Sequence, residues 1–211
     1  MAERPVFLIR SGKVVGIPYT FQWFPGFSVS QKQKSIESLH DAIRQSDGAA
    51  APLEVSTKSR CDIGAKLSAF NLRLGGYTLE NVFQSAKVFE NGGPFSDLLE
   101  VPPKEAKRDP RLRASGPLRA FRYQGEAFPL TPKTVFYDYI YMQAVKESLP
   151  AEAAEAIRGY THFTDIEFNP ARSTNTQARA AALVKLLLEE KGCLPDFSAE
   201  AFIACHREHV E

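Results

Sequence analysis

The sequence predicts an α+β fold, a single helix-rich domain over residues 1–211 with short strands and an N-terminal β/helix extension. Three observations predict it. Segments run in the order strands, helix, strand, helices, hairpin, helices, strand, helix, which is a mixed pattern. An apolar fraction of 44% supplies a core, and the length suits one domain divided as an extension, 1–52, packed on 53–211. No apolar run approaches the roughly eighteen residues of a membrane span.

Pro5 to Arg10 and Val14 to Tyr19 are β-prone runs around the turn signal Ser11-Gly12-Lys13. Phe21 to Phe24 is a further strand candidate, ended by Pro25-Gly26. Ser28 to Arg44 reads as a helix, capped by Ser28 or Ser30, with Ile36, Leu39, Ala42 and Ile43 on its apolar side. Leu53 to Ser56 resumes a strand. Leu67 to Phe89 then combines a turn, LSAFNL, with a helix expected from the Thr78 cap to Phe89. Leu79, Val82, Phe83, Ala86 and Phe89 form its apolar stripe. Asn91-Gly92-Gly93-Pro94 is its expected stop. Phe95 to Glu100 and Pro103 to Arg108 read as short helices, and Leu118 to Tyr123 with Glu126 to Leu130 as a hairpin about Gln124-Gly125. Thr134 to Glu147 is an aromatic-rich helix with Tyr139 off its apolar stripe beside Asp138. Leu149 to Gly159 is a further helix and Phe163 to Phe168 a strand. Asn175 to Lys191, closed by Gly192, and Ala199 to His209 are the last helices.

Composition narrows function. Lys plus Arg number 26 against 25 Asp plus Glu, which excludes a grossly basic nucleic-acid coat protein but leaves room for a local basic groove. MAERPVF has no basic start leading into an apolar segment, and Cys61, Cys193 and Cys205 fit neither a disulfide framework nor a metal pattern. The expectation is a reduced, cytoplasmic setting with no metal, no organic cofactor and no membrane partner.

Glu80, Gln84 and Lys87 fall at i, i+4 and i+7 of the expected central helix, an acid, an amide and an amine beside a buried stripe. Such residues form either a solvated face or a reaction site. Glu80 and Lys87 would stand about 10 Å apart along the axis and flank a small ligand rather than touch. Lys58, Arg60 and Lys66 precede the turn, either as a solvated loop or as phosphate ligands. Lys104 to Arg122 holds seven cations, among them Arg108, Arg111, Arg113 and Arg119, against two acids. That stretch suits a nucleic-acid backbone or an ordinary solvated face.

LSAFNL followed by YTLENVFQSAKVF resembles the signature of the NADAR family, an LSNF-type turn before a Glu-x-x-x-Gln-x-x-Lys helix, here reading Lys87-Val88-Phe89 where the family runs from Lys directly into Phe. PPKEAKRDPRL, FYDYIYMQAV and FTDIEFNPARSTNTQARAAALVKLL resemble its later segments, so the likeness spans Leu53 to Glu190. SQKQKSIESLH, YDYIY and FTDIEFNP are most similar to NADAR antitoxins paired with DarT-type DNA-modifying toxins. The resemblance implies cleavage of an N-glycosidic bond to ADP-ribose. It makes Glu80 the catalytic carboxylate, Lys87 the active-site amine and Asp165 a polar partner. Ser68, Phe70, Asn71 and Gln84 would line the pocket, Tyr139 would stack in place of the family's Trp, and Asn175 and Arg179 would orient a phosphate. Implied partners are ADP-ribose, DNA ADP-ribosylated on guanine and a cognate DarT-type toxin. The alternatives are an N-glycosidase acting on small phosphorylated nucleosides or riboflavin-pathway intermediates, and an ADP-ribose-binding module without catalysis.

Overall fold

The computed structural model of the protein describes residues 1–171 and 176–210. Strands β1 (Ala2–Arg10) and β2 (Lys13–Phe21) pair antiparallel from Ala2↔Phe21 to Arg10↔Lys13. Ser11 and Gly12 both take positive φ in the connecting turn, the twist that a tight hairpin needs. The strand expected over Phe21 to Phe24 ends at Phe21. Beyond it the Phe24 N–H donates to Ser35 Oγ at 3.0 Å, and this turns the chain into helix α1 (Val29–Ser46). Ser28 Oγ accepts from Gln31 N at 3.3 Å as the cap, and Ile36, Leu39 and Ile43 are buried along the inner side.

Next come β3 (Pro52–Glu54), α2 (Asp62–Lys66), the small pair β4 (Arg73–Leu74) and β5 (Tyr77–Thr78), α3 (Leu79–Ser85) and β6 (Lys87–Phe89). A 3-10 turn at Ser96–Leu99 leads to α4 (Pro103–Ala106) and α5 (Arg111–Ala114). The hairpin β7 (Leu118–Tyr123) and β8 (Glu126–Phe128) turns on Gln124 and Gly125, as expected. The chain closes with α6 (Val135–Ser148), α7 (Ala151–Glu155), a 3-10 turn at Ala156–Gly159, β9 (His162–Thr164), α8 (Gln177–Lys191) and α9 (Ala199–His209).

The main sheet has the order β2-β1-β9-β3, with β3 parallel to β9 and the other pairs antiparallel. Chain order alone does not show that β1 pairs directly with β9, which draws the N-terminal hairpin into the central sheet. The sheet separates two apolar clusters. Val6, Phe21 and Ile166 pack with Ile36, Leu39 and Ile43 of α1. Phe7, Ile9, Leu53 and Phe163 pack with α6 and α8 on the other face. Strand alternation produces this division, because neighbouring residues point to opposite faces. A second sheet, β6-β7-β8, leans on α6 through stacked Phe121 and Phe136, with ring centroids 4.6 Å apart.

Candidate active site

The Thr78 cap anchors α3, its Oγ1 accepting from Asn81 N at 3.2 Å. The Asn81 amide then donates to the carbonyls of Leu98 and Val101, at 2.6 and 2.7 Å, and ties the helix start to the following loop. This fixes the rotation of α3 and keeps Glu80 and Gln84 buried on one side. Gln84 Nε2 donates to Glu80 Oε1 at 2.8 Å, and Lys87 Nζ donates to Gln84 Oε1 at 2.6 Å.

The helix does not continue to Phe89. It ends at Ser85, and Lys87 opens β6, which pairs with β7 through Lys87↔Phe121 and Val88↔Ala120. Arg122 N donates to Ala86 O at 2.8 Å and extends the pairing back to the helix end. Strand pairing therefore overrides the helical spacing, upstream of the expected Asn91–Pro94 stop. The consequence is chemical. The three side chains form one hydrogen-bonded row in which Gln84 bridges Glu80 and Lys87, which do not touch. The amine also lies 4.8 Å from the centroid of the Phe83 ring. Burial pulls its pKa down to about 8; Lys107 adds to this and Glu80 opposes it. Lys107 Nζ is 3.7 Å from Glu80 Oε1.

Asp165 lies just beyond β9, since the strand expected to reach Phe168 stops at Thr164. A turn follows, in which Phe168 N donates to Asp165 O and Glu167 N to its carboxylate, both at 3.1 Å. Burial, then the nearby Glu54 carboxylate, push the Asp165 pKa up to about 8. Tyr137 lies within electrostatic reach of both Asp165 and Glu80. Its ring meets Phe83 edge-on at 5.4 Å. Burial, followed by the charges of Glu80 and Asp165, hold its hydroxyl well above the ordinary tyrosine range. From the sequence, Tyr137 belongs only to an apolar stripe. Gln177 is the second residue that sequence reasoning missed. Its Oε1 accepts from Ala69 N at 2.8 Å and its side chain hydrogen-bonds Asp165, so it clamps the LSAF turn to the acid. Its position at the first turn of α8 was the one available signal.

Other expected contacts fall elsewhere. Tyr139 is two residues from Tyr137, so on a helix it faces nearly the opposite way. It packs on Phe128 and Phe202, at 4.8 and 5.3 Å, away from Glu80. Arg179 is buried, and its Nη2 donates to Asp138 Oδ1 at 3.1 Å. The other Asp138 oxygen is 2.8 Å from His206 Nε2. Asn175 lies outside the described residues. Ser68 is fully buried and shapes the turn, its Oγ accepting from Phe70 N at 3.4 Å. Asn71 donates to Ala65 O at 2.8 Å, while the Phe70 ring stands exposed at the turn.

The basic stretch is also divided. Arg111 donates to both Asp97 and Asp109 and lies 4.6 Å from the Phe95 ring centroid. Arg119 pairs with Glu90. Arg108 and Arg113 are exposed with no acidic partner among the described residues. Among the described residues no three His, Cys, Asp or Glu side chains are grouped to hold a metal. No helix among them is long and apolar enough to cross a membrane.

A buried carboxylate, a part-buried amine of lowered pKa and a carboxyl of raised pKa on facing elements can divide acid, base and nucleophile roles. No curated protein matches the chain. Residues 2–211 match the family described as DarT1-associated NADAR antitoxin, and the chain belongs to that family of antitoxins.

Proposed function

We propose that the protein is an ADP-ribosyl glycohydrolase that removes ADP-ribose from guanine bases of DNA by N-glycosidic cleavage, and so opposes a DarT-type toxin. The observation that carries this reading is the hydrogen-bonded row Glu80–Gln84–Lys87, with an amine poised to lose its proton near pH 8. Membership of an antitoxin family associated with DarT1 supports the substrate class.

In this reading the bond between the anomeric carbon and the guanine nitrogen breaks, and its electron pair leaves with the base. The Glu80 carboxylate faces the positive charge that develops at the sugar. Asp165, protonated through neutral pH, supplies the proton that the departing base takes up. Water then adds to the anomeric carbon and loses a proton to Asp165, which the departing base has left as a carboxylate; the hemiacetal opens to an aldehyde, and the neutral Lys87 amine captures it, expelling water to form a Schiff base that a further water hydrolyses. Gln84 holds amine and carboxylate in register. Phe70, exposed on the turn that Gln177 ties to Asp165, gives the extruded base an aromatic surface to stack on.

The test is incubation with an oligonucleotide carrying ADP-ribose on guanine, followed by mass spectrometry. Unmodified DNA and free ADP-ribose are expected, and Glu80→Gln should release neither while keeping the wild-type melting curve. Normal turnover by that variant would overturn the reading. Release from a small phosphorylated N-glycoside but not from DNA would move the substrate class, and binding of ADP-ribose without product would make the protein a binding module.

A further inference from the structure

The Lys58 and Arg60 cations singled out in the sequence do not join the Glu80 row. They line a separate cleft of about 250 Å³ between α1 and β3, together with Gln33, His40, Arg44 and Glu54. Ile36, Leu53 and Cys61 supply its apolar wall. Its polar base is a closed network. Glu54 accepts from Ser56 Oγ at 2.6 Å, from Thr164 Oγ1 at 2.7 Å and from Ile166 N at 2.9 Å. His40 Nε2 is 2.9 Å from Thr164 Oγ1.

This network sets the histidine tautomer. The Thr164 hydroxyl gives its one proton to Glu54, so its oxygen must accept from His40, and Nε2 carries the hydrogen. His40 Nδ1 is then a lone-pair acceptor, with no partner among the described residues, on a side chain that lines the cleft. Burial and nearby Arg44 keep the ring neutral, with a pKa lowered to about 4. At the rim, Lys58 Nζ contacts only the Thr57 hydroxyl among the described residues. Arg60 and Arg44 hold solvent-exposed pairs with Glu37 and Asp41, which an anion can displace at little cost. Behind the cleft the chain packs closely: a Cβ on Gly64 would stand 2.1 Å from Glu54 O and 2.5 Å from Ser59 Oγ.

We propose that this cleft binds a phosphorylated sugar, the phosphate held by Lys58 and Arg60 and a sugar hydroxyl donating to His40 Nδ1. A phosphate makes charge-assisted bonds to both cations, and a hydroxyl of the sugar that carries it supplies the donor that the histidine lacks. The cleft opens on the α1 face of the sheet, because Thr164 and Ile166 point there and Asp165 points away. It is a second site. A free ribonucleotide offers both groups, whereas the sugar-phosphate chain of DNA offers the phosphate alone, because its 3′ and 5′ oxygens are esterified and its 2′ carbon carries no hydroxyl.

The experiment titrates the full-length protein with AMP and, separately, with a 5′-phosphorylated thymidine dinucleotide, followed by calorimetry. Wild type should bind AMP, and more tightly than the dinucleotide. Lys58→Glu and His40→Leu should each weaken that binding roughly tenfold or more, with unchanged melting curves. Preference for AMP is the expected result, and preference for the dinucleotide overturns the assignment of a sugar hydroxyl to His40. Absence of binding to both probes, or binding that neither variant changes, overturns the proposal. Glycohydrolase activity on modified DNA is read in parallel, so failure of this cleft and failure of the Glu80 reading remain distinguishable.

Discussion

Two buried carboxylates lie on opposite faces of the main sheet, at the ends of the neighbouring strands β3 and β9, and they are treated differently. Glu54 points toward α1 and accepts three hydrogen bonds; Asp165 points toward α6 and α8 and accepts weaker ones from Glu167, Thr176 and Gln177. Burial raises both, and in Glu54 it outweighs the three donors, which favour the charged form and oppose the rise. Charge on Glu54 in turn helps hold the proton on Asp165. One carboxylate is fixed by structure, and the other is left as an acid available for chemistry. The same contrast separates the two regions they serve. The α1 cleft is a closed network with one open acceptor, whereas the Glu80 row ends in an amine of lowered pKa.

The largest effect tests whether chemistry resides on the α6 side alone. Glu80→Gln should lower release of ADP-ribose from modified DNA by about 10²- to 10⁴-fold, the range for loss of a positioned charged group. Gln84 can still donate to the new amide oxygen, so folding should be unaffected. His40→Leu, on the other face, should change that rate far less. Equal losses would erase the distinction.

The next effect concerns pH. Neutral Lys87 accumulates as pH rises through about 8, while protonated Asp165 is lost over the same interval. The rate should therefore peak near pH 8 and fall on both sides. Lys87→Arg cannot form a Schiff base and should abolish the trapping of product by borohydride. A flat profile between pH 6 and 9 would remove both groups from the reaction.

Asp165 also makes a stability prediction. Its folded pKa is raised from 3.8 to about 8, so the folded state holds the proton more tightly than the unfolded one. That contribution is fully present below the unfolded carboxyl pKa and is lost as pH rises toward 8. Wild type should be less stable at pH 8 than at pH 5. Asp165→Asn should recover more than about 1 kcal/mol at pH 8, read by urea unfolding, while impairing the reaction. A variant less stable than wild type at pH 8 would show that the carboxylate is held as a charge.

Much of this was legible in the sequence, because the signals were local. The α1 cap at Ser28, the hairpin about Gln124-Gly125 and the closing helices follow from caps, turns and periodicity. What was not legible depended on partners distant in the chain. Lys87 has helical spacing from Glu80, yet pairing with Phe121 places it in a strand. Tyr137 and Tyr139 are alike in type, and only the rotation of α6 decides that Tyr137 meets Phe83 while Tyr139 meets Phe202. Gln177 looked like an ordinary first-turn residue, and Asp165 became an acid through burial and through Glu54, which stands far earlier in the chain.

The smallest effect concerns the basic stretch, where composition suggested one patch and the structure separates two kinds of arginine. Arg111 is held between Asp97 and Asp109 and by Phe95, and this keeps its charge in place and Asp97 and Asp109 below the usual carboxylate range. Arg108 and Arg113 are exposed and lack an acidic partner among the described residues. If DNA runs along this face, Arg108→Ala with Arg113→Ala should weaken binding several-fold at low salt. The slope of log affinity against log salt should fall by about one for each phosphate that is no longer neutralised. Arg111→Ala should instead lower the melting temperature, because it leaves two facing carboxylates and an uncovered ring. A salt slope that responds to Arg111 but not to Arg108 and Arg113 would reverse the assignment and make the paired arginine the one that meets DNA.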